Sequence, residues 1–410
     1  MHQMTRKFPR TKAFLLLLAL SSAVGWARLT PLAPAPDWSK LEKYQESMTR
    51  EEFVDLLNRV YAPGGAAAGV IVVEEGSARV KTRSGSPDFV LRFASSRESV
   101  KPAGSFWSPR SALPPAPAGK PLTGLKIAID PGHLGGRWAK VEERWFRVGN
   151  SRPVVEGDMT LLVAKMLIPR LKAMGAQVYL TRSKAGPVTS ARPDKLRQEA
   201  AASLADKGKP MDPVSLESES DRLFYRVSEI RRRARLVNES IKPDLVLCLH
   251  FNAEAWGSET EPRLVDENHL HFLVTGALSA EELSYEDQRF DMLVKLLGRT
   301  FPEELKVSAT VASAMAEETR LPPYTYVAAN ALNVGGNPYL WARNLLANRL
   351  FACPVVYIEP YVMNGRAAFA RIQAGDYEGR RNFGGVPRKS IYREYADSVA
   401  AGLAAYYGQR

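Results

Sequence analysis

Three residues of types that bind metals or move protons stand where apolar runs stop. They are His133 at the end of "KIAIDPGH", His250 at the end of "DLVLCLH", and Glu359 in "VVYIEP". Short runs of Ile, Val and Leu read as buried strands, and Asp-Pro-Gly after the first one stops it and delivers the next side chain to the rim of a sheet. A fourth group, Glu156 in "VVEGDMTLLVA", stands where a loop enters a helix. Two imidazoles and one carboxylate, His133, His250 and Glu156, can hold a tetrahedral zinc ion and leave one corner for water, the arrangement of a catalytic rather than a structural site. A second carboxylate outside that set, Glu359, can then take a proton from the water and give it to a leaving amine. Each residue alone has a plainer explanation: a hydrogen-bonded structural histidine, a charge at a helix N-terminus, a salt-bridge partner. Chemistry follows only if all four share one edge of one sheet.

Parallel strands put their C-terminal ends on a common edge, so the elements between these residues decide the matter. "LKIAID", "AQVYLTR", "DLVLCLH", "HLHFLVTG" and "PVVYIEP" read as strands. Met159, Leu162, Val163, Met166, Leu171 and Met174 form one helical face, and Leu223, Val227, Ile230, Ala234, Val237 and Ile241 another. "SIYREYADSVAAGLAAYY" closes the chain as a helix, and Pro169 is expected to kink the first helix. This alternation predicts an α/β fold, a mostly parallel sheet flanked by helices on both faces. Residues 183–220 read as a polar insertion.

Ahead of this catalytic domain, placed at 124–410, residues 37–98 read as a small α+β domain. Thr49 and Glu52 there form a capping box, and Pro-Gly-Gly at 63–65 ends the helix. "AGVIVVEE", "ARVKTR" and "DFVLRFA" follow as strands. Residues 99–123 hold six prolines and read as a stiff linker. "MHQMTRKFPRTK" followed by "AFLLLLALSSAVGWA" reads as a signal peptide over residues 1–27, which predicts export to the periplasm or cell envelope. The formal net charge of +12 includes four basic residues of that segment, so the remainder is still basic. In an exported protein that suits an acidic wall polymer, and without any recognisable nucleic-acid module it does not indicate nucleic acid. Cys248 and Cys353, the two cysteines of the chain, lie in or beside apolar runs and read as buried thiols, with a bridge between them open after export.

The order DPGH, a glutamate opening a helix, "YLTR", "RARLVNESIKPDLVLCLHFNA", then "PVVYIEP" and a last helix resembles the zinc-dependent N-acetylmuramoyl-L-alanine amidases of type 3. The resemblance covers roughly residues 124–407. It implies zinc ligands at His133, Glu156 and His250, a catalytic glutamate at Glu359, and a structural role for Arg233 and Asn238. It also implies peptidoglycan as the substrate. The chain departs from the family pattern in three places. "LGGRWAKVEERWFRVGNSRPVV" separates His133 from Glu156 and makes Glu142 and Glu143 rival ligands. "IEPYVMN" lacks the glycine that often follows the last glutamate. Residues 277–350 are longer than expected and are candidates for a lid or groove wall. His269 and His271 alternate on one strand and read as a partly exposed face, with ligation as the rarer reading. Arg231, Arg232 and Arg235 read as a solvated helix face. Two other functions share these residues: a zinc peptidase cutting the stem peptide, and a catalytically silent wall-binding protein. Polysaccharide deacetylation is disfavoured because no His-x-x-x-His pair is present.

Overall fold

The computed structural model describes residues 28–409 other than 103, 259–260 and 329; the expected signal peptide, residues 1–27, lies outside the described residues. The central element is a seven-stranded sheet. Its strands are β1 (Lys126–Pro131), β2 (Gln177–Leu180), β3 (Leu245–Leu249), β4 (Leu270–Val274), β5 (Ala331–Asn333), β6 (Leu340–Arg343) and β7 (Val355–Pro360), in the spatial order β5-β6-β4-β7-β3-β1-β2. β2, β1, β3 and β7 run parallel, with Ile127 beside Leu245 and Tyr357 beside Cys248. β4 runs antiparallel to β7, and β6 runs parallel to β4. The sheet is therefore mostly parallel, with a reversal at β4 that the sequence does not announce.

The alternation of side chains sends Ile127, Ile129, Leu247, Phe272 and Ile358 to one face, against three helices: α1 (Glu156–Ala173), α2 (Thr300–Thr319) and α3 (Ile391–Tyr407). Ala128, Val246, Cys248, Leu273 and Tyr357 point to the other face, where they pack with Ala234, Val237 and Ala347. The first two of these partners belong to one continuous helical stretch, residues 213–241, whose α turns alternate with π turns. Both faces are thus covered, as the α/β pattern predicts. α1 runs through Pro169 to Ala173 as one helix. Among the described residues no helix is long and apolar enough to cross a membrane.

Near the N-terminus Ile71–Val73, Ser77–Val80 and Phe89–Arg92 form a three-stranded antiparallel sheet. Thr49 accepts from the Glu52 backbone N–H at 3.3 Å, but the Glu52 carboxylate does not return the bond. It is drawn instead to Arg299, where two bonds of 2.6 Å tie this unit to the turn before α2. The core of this unit, Phe53 and Val60 included, is continuous with that of the large sheet. The proline-rich segment packs on the sheet domain: Trp107 is buried, and Asp244 accepts from the backbone of both Ser108 and Lys126, at 2.8 and 2.9 Å.

Several expectations change here. Residues 277–350 are core in part, with Val307, Val311 and Met315 of α2 fully buried, while Arg343 and Leu345 to Ala347 line the cleft that Glu359 also lines. Arg231 is not solvated but buried against Asp287 at 3.2 Å, while Arg232 and Arg235 are exposed. His269 and His271 are buried rather than partly exposed, because β4 is an inner strand. Cys248 and Cys353 are buried free thiols.

Candidate active site

The turn after β1 is fixed from below before it presents anything. Asp130 accepts a short bond from Thr181 and faces Arg233 at 3.3 Å. Arg233 also donates to the Pro131 carbonyl (2.8 Å) and the His133 carbonyl (3.1 Å), and its Nε binds Glu229 (2.8 Å). Arg182 donates to the Gly157 carbonyl at 2.8 Å, with longer contacts to the carbonyls of Pro131 and Gly132. Thr181 and Arg182 of "YLTR", and Arg233, are therefore the anchors of the turn. Asn238 does similar work at the other strand, bonding the Leu350 carbonyl (2.8 Å) and the Ala352 N–H (3.0 Å) ahead of β7.

This turn holds His133 at φ 59°, a left-handed conformation that a non-glycine residue keeps only when its surroundings enforce it. Glu142 supplies part of that enforcement. One of its oxygens meets His133 Nδ1 at 2.8 Å and the other accepts from the buried Leu134 N–H at 2.6 Å. A carboxylate only accepts, so Nδ1 carries a ring proton, and in the neutral imidazole Nε2 then presents a lone pair. Nε2 points at Glu156 Oε2, 3.3 Å away. On the other side His250 Nδ1 lies 3.4 Å from Glu156 Oε1, which also accepts from the Phe251 N–H at 3.1 Å. The His250 ring stacks on Tyr357, centroids 4.4 Å apart, and leaves no room for a Cβ at position 132.

His133, Glu156 and His250 thus offer three donor atoms within 4.8 Å of one another, and Glu156 and His250 are buried. Burial pushes the Glu156 carboxyl up, but His133, His250 and Arg144 outweigh it and hold the group at about 2, so it is ionised. Glu359 stands at the end of β7 and lines the same cleft as His133 and Glu156. Burial, and then the charge of Glu156, push its carboxyl up to about 8 against the pull of His133, Arg144 and Arg343. Of the rivals, Glu142 backs His133 from behind, and Glu143 lines the cleft as an exposed residue.

Sequence reasoning missed Arg144, whose Nε lies 3.5 Å from Glu156 Oε2. It sits in the insertion between His133 and Glu156, where Trp145–Phe146 pairs with Val154–Val155. Burial there works against its charge, yet Glu156, Glu142 and Glu359 more than compensate. His269 and His271 do not join the three donors: His269 contacts Glu254 (3.2 Å), and His271 Nε2 contacts the Tyr326 hydroxyl (3.0 Å). Burial drives His271 down to about 3, so it is neutral. The cleft in front of the donors measures ≈ 710 Å³, and Trp145 and Trp256 are in its wall.

Fold and site together define an α/β protein with a candidate metal centre at the C-terminal edge of a mostly parallel sheet. No protein-family model and no curated protein matches the chain. Among solved structures it is similar to the N-acetylmuramyl-L-alanine amidase Ami1 of Mycobacterium smegmatis, at 16% identity and a TM-score of 0.37, covering 70% of this chain and 99% of that one. It is similar also to the N-acetylmuramoyl-L-alanine amidase AmiC2 of Nostoc punctiforme, with 16% identity, TM-score 0.37, and coverage of 70% and 98%. A third is the CwlD amidase of Clostridioides difficile, solved in complex with the GerS lipoprotein, with 13% identity, TM-score 0.37, and coverage of 70% and 100%.

Proposed function

We propose that this chain is a zinc-dependent amidase that cleaves the bond between the lactyl group of N-acetylmuramic acid and L-alanine in peptidoglycan. The observation that carries the zinc reading is the donor spacing. Two ligand bonds of about 2.05 Å at a tetrahedral angle span about 3.4 Å; His133 lies 3.3 Å from one Glu156 oxygen and His250 3.4 Å from the other, and one donor atom from each of the three residues lies within 4.8 Å of the others. Two imidazoles and one carboxylate are a ligand set that zinc takes in catalytic sites. Zinc held there would supply Lewis acidity at a carbonyl oxygen and a water acidified toward pH ~7.

The residues of the chain do the rest. Arg144 and the Phe251 N–H hold the Glu156 carboxylate in place. Glu142 fixes the His133 tautomer. Glu359, which lines the same cleft as His133 and Glu156, is the carboxylate placed to accept a proton from water and deliver it to the departing amine nitrogen. The choice of a muramoyl amide over another amide rests on the motif resemblance and on the open cleft. The same reading makes residues 1–27 an export signal and places the protein in the cell envelope; N-terminal sequencing of the exported chain checks this.

The test is digestion of purified peptidoglycan followed by mass spectrometry. Peptide-free muramic acid and stem peptides beginning at L-alanine are expected. Glu359→Gln should retain zinc and release neither. Cleavage inside the stem peptide would make the protein a zinc peptidase instead, and wall binding without products would make it a silent binder.

A further inference from the structure

The cleft does not end at the three donors. Beyond Glu359 it continues as a second arm of ≈ 380 Å³ over the face of the sheet, between the helical stretch 213–241 and the segment after β6. Apart from Glu143, Arg144 and Glu359, which line both arms, the charges of this arm sort into two groups. Asp130 and Glu229 are bound by Arg233, and Glu142 is bound by His133 and Leu134, so none of these is free for a ligand. Arg226 and Arg343 differ. Arg226 is exposed, Arg343 is half-buried, and neither has a carboxylate within ion-pair distance among the described residues. Arg343 is nevertheless held in position: its Nη1 lies 3.4 Å from the Tyr326 hydroxyl, its guanidinium rests over the Tyr326 ring at 5.3 Å, and Tyr326 is itself bonded to His271. Arg343 faces the same arm as Glu359 without pairing with it, and a guanidinium that is positioned but unpaired can take a ligand's carboxylate. The arm on the other side of the donors has a different chemistry, with the Trp256 ring backed by Phe146 at 5.2 Å and Trp145 in the same wall. Flat aromatic surface of that kind suits a sugar ring.

We propose that Arg343, with Arg226, forms an anion subsite that grips a carboxylate of the substrate's peptide, so that the peptide lies in the arm beyond Glu359 and the sugar in the tryptophan arm. This deepens the peptidoglycan reading and rests on it. A stem that begins L-Ala-D-Glu, with the glutamate linked through its side chain, leaves a free α-carboxylate one residue past the scissile bond. Bidentate charge-assisted bonding to that group separates an acid from its amide by about tenfold to a hundredfold.

The experiment uses two tripeptides, L-Ala-γ-D-Glu-L-Lys and the same peptide with the α-carboxylate amidated. Equilibrium binding to the full chain is measured by calorimetry, apart from any turnover. Wild type is expected to prefer the acid by at least tenfold, Arg343→Ala to lose most of that ratio, and the Arg226→Ala/Arg343→Ala double variant to bring it to about one. Arg343→Lys, which keeps the charge, should restore part of it. A ratio near one in wild type overturns the proposal, and so does an unchanged ratio in a double variant with native circular dichroism. Hydrolysis of intact muropeptides is scored separately. Carboxylate-dependent binding without turnover keeps the subsite and rejects the amidase reading; turnover without carboxylate preference does the reverse.

Discussion

Glu142→Gln is the sharpest probe of how the site is assembled, because the substitution changes one atom and leaves the side-chain shape intact. In wild type one Glu142 oxygen serves His133 Nδ1 at 2.8 Å and the other serves the Leu134 N–H at 2.6 Å. An amide has a single acceptor for these two donors. If its oxygen stays on Leu134, its NH2 group faces Nδ1–H, and the imidazole must move its proton to Nε2, which removes the lone pair aimed at Glu156. If the oxygen turns to His133, the buried Leu134 N–H meets a donor and goes unpaired, at a cost of about 1–3 kcal/mol. Either way the ligand geometry of His133 is loosened. Removing the carboxylate partner of a metal-bound histidine lowers metal affinity by roughly 10–100-fold, or about 1.4–2.8 kcal/mol. Competition for zinc against a chromophoric chelator measures this directly, and urea unfolding of the metal-free protein measures the cost to the fold alone. A variant that unfolds like wild type and binds zinc as tightly would refute the claim that Glu142 sets the tautomer.

Other perturbations test other joints. Gly132→Ala places a Cβ 2.6 Å from His250 Nδ1, so the imidazole must leave its stack on Tyr357; zinc stoichiometry and peptidoglycan release should both collapse, and a fully active variant would show the ring can yield. Arg233→Ala strips Asp130 and Glu229 of their shared buried partner, which should lower unfolding stability by about 3–5 kcal/mol; a loss under 1 kcal/mol in denaturant titration would contradict its role as the anchor of the turn. For Glu219, burial raises the carboxyl but Arg222, Ser203 and Lys207 outweigh it and bring it to about 2. A carboxyl depressed in the folded state contributes stability above its unfolded value near 4.5, and that contribution is lost as pH falls toward 2. The stability gap between wild type and Glu219→Gln should therefore close over that window, and a gap independent of pH would rule the ion cluster out.

How much of the site could be read in advance depended on whether the signal was local. His133, His250 and Glu359 each close an apolar run, and a run of that kind carries its own direction, so their meeting at one edge follows once β1, β3 and β7 are parallel. Glu156 was legible because it opens an amphipathic helix. Nothing local marks the reversal of β4, since an inner strand is apolar throughout and reads the same in either direction. That reversal sets His271 opposite Glu359, and through Tyr326 it steadies Arg343. The insertion before Glu156 was equally opaque: its strands are two residues long, too short for any period to register, yet it supplies Glu142, Arg144 and Trp145. The Glu52 carboxylate shows the same limit at the level of a single cap, where a distant Arg299 outcompeted the helix's own N-terminus. There a charged pair between segments far apart in sequence decided the outcome. A buried guanidinium needs acceptors, and the fold supplies carboxylates to Arg233 and backbone carbonyls to Arg182. Arg343 is held against a phenol and pulls on the Glu359 carboxyl without pairing with it. An unpaired guanidinium in the cleft is what a peptide carboxylate would engage, and the acid-to-amide preference of the bound peptide measures how far the cleft anticipates its substrate.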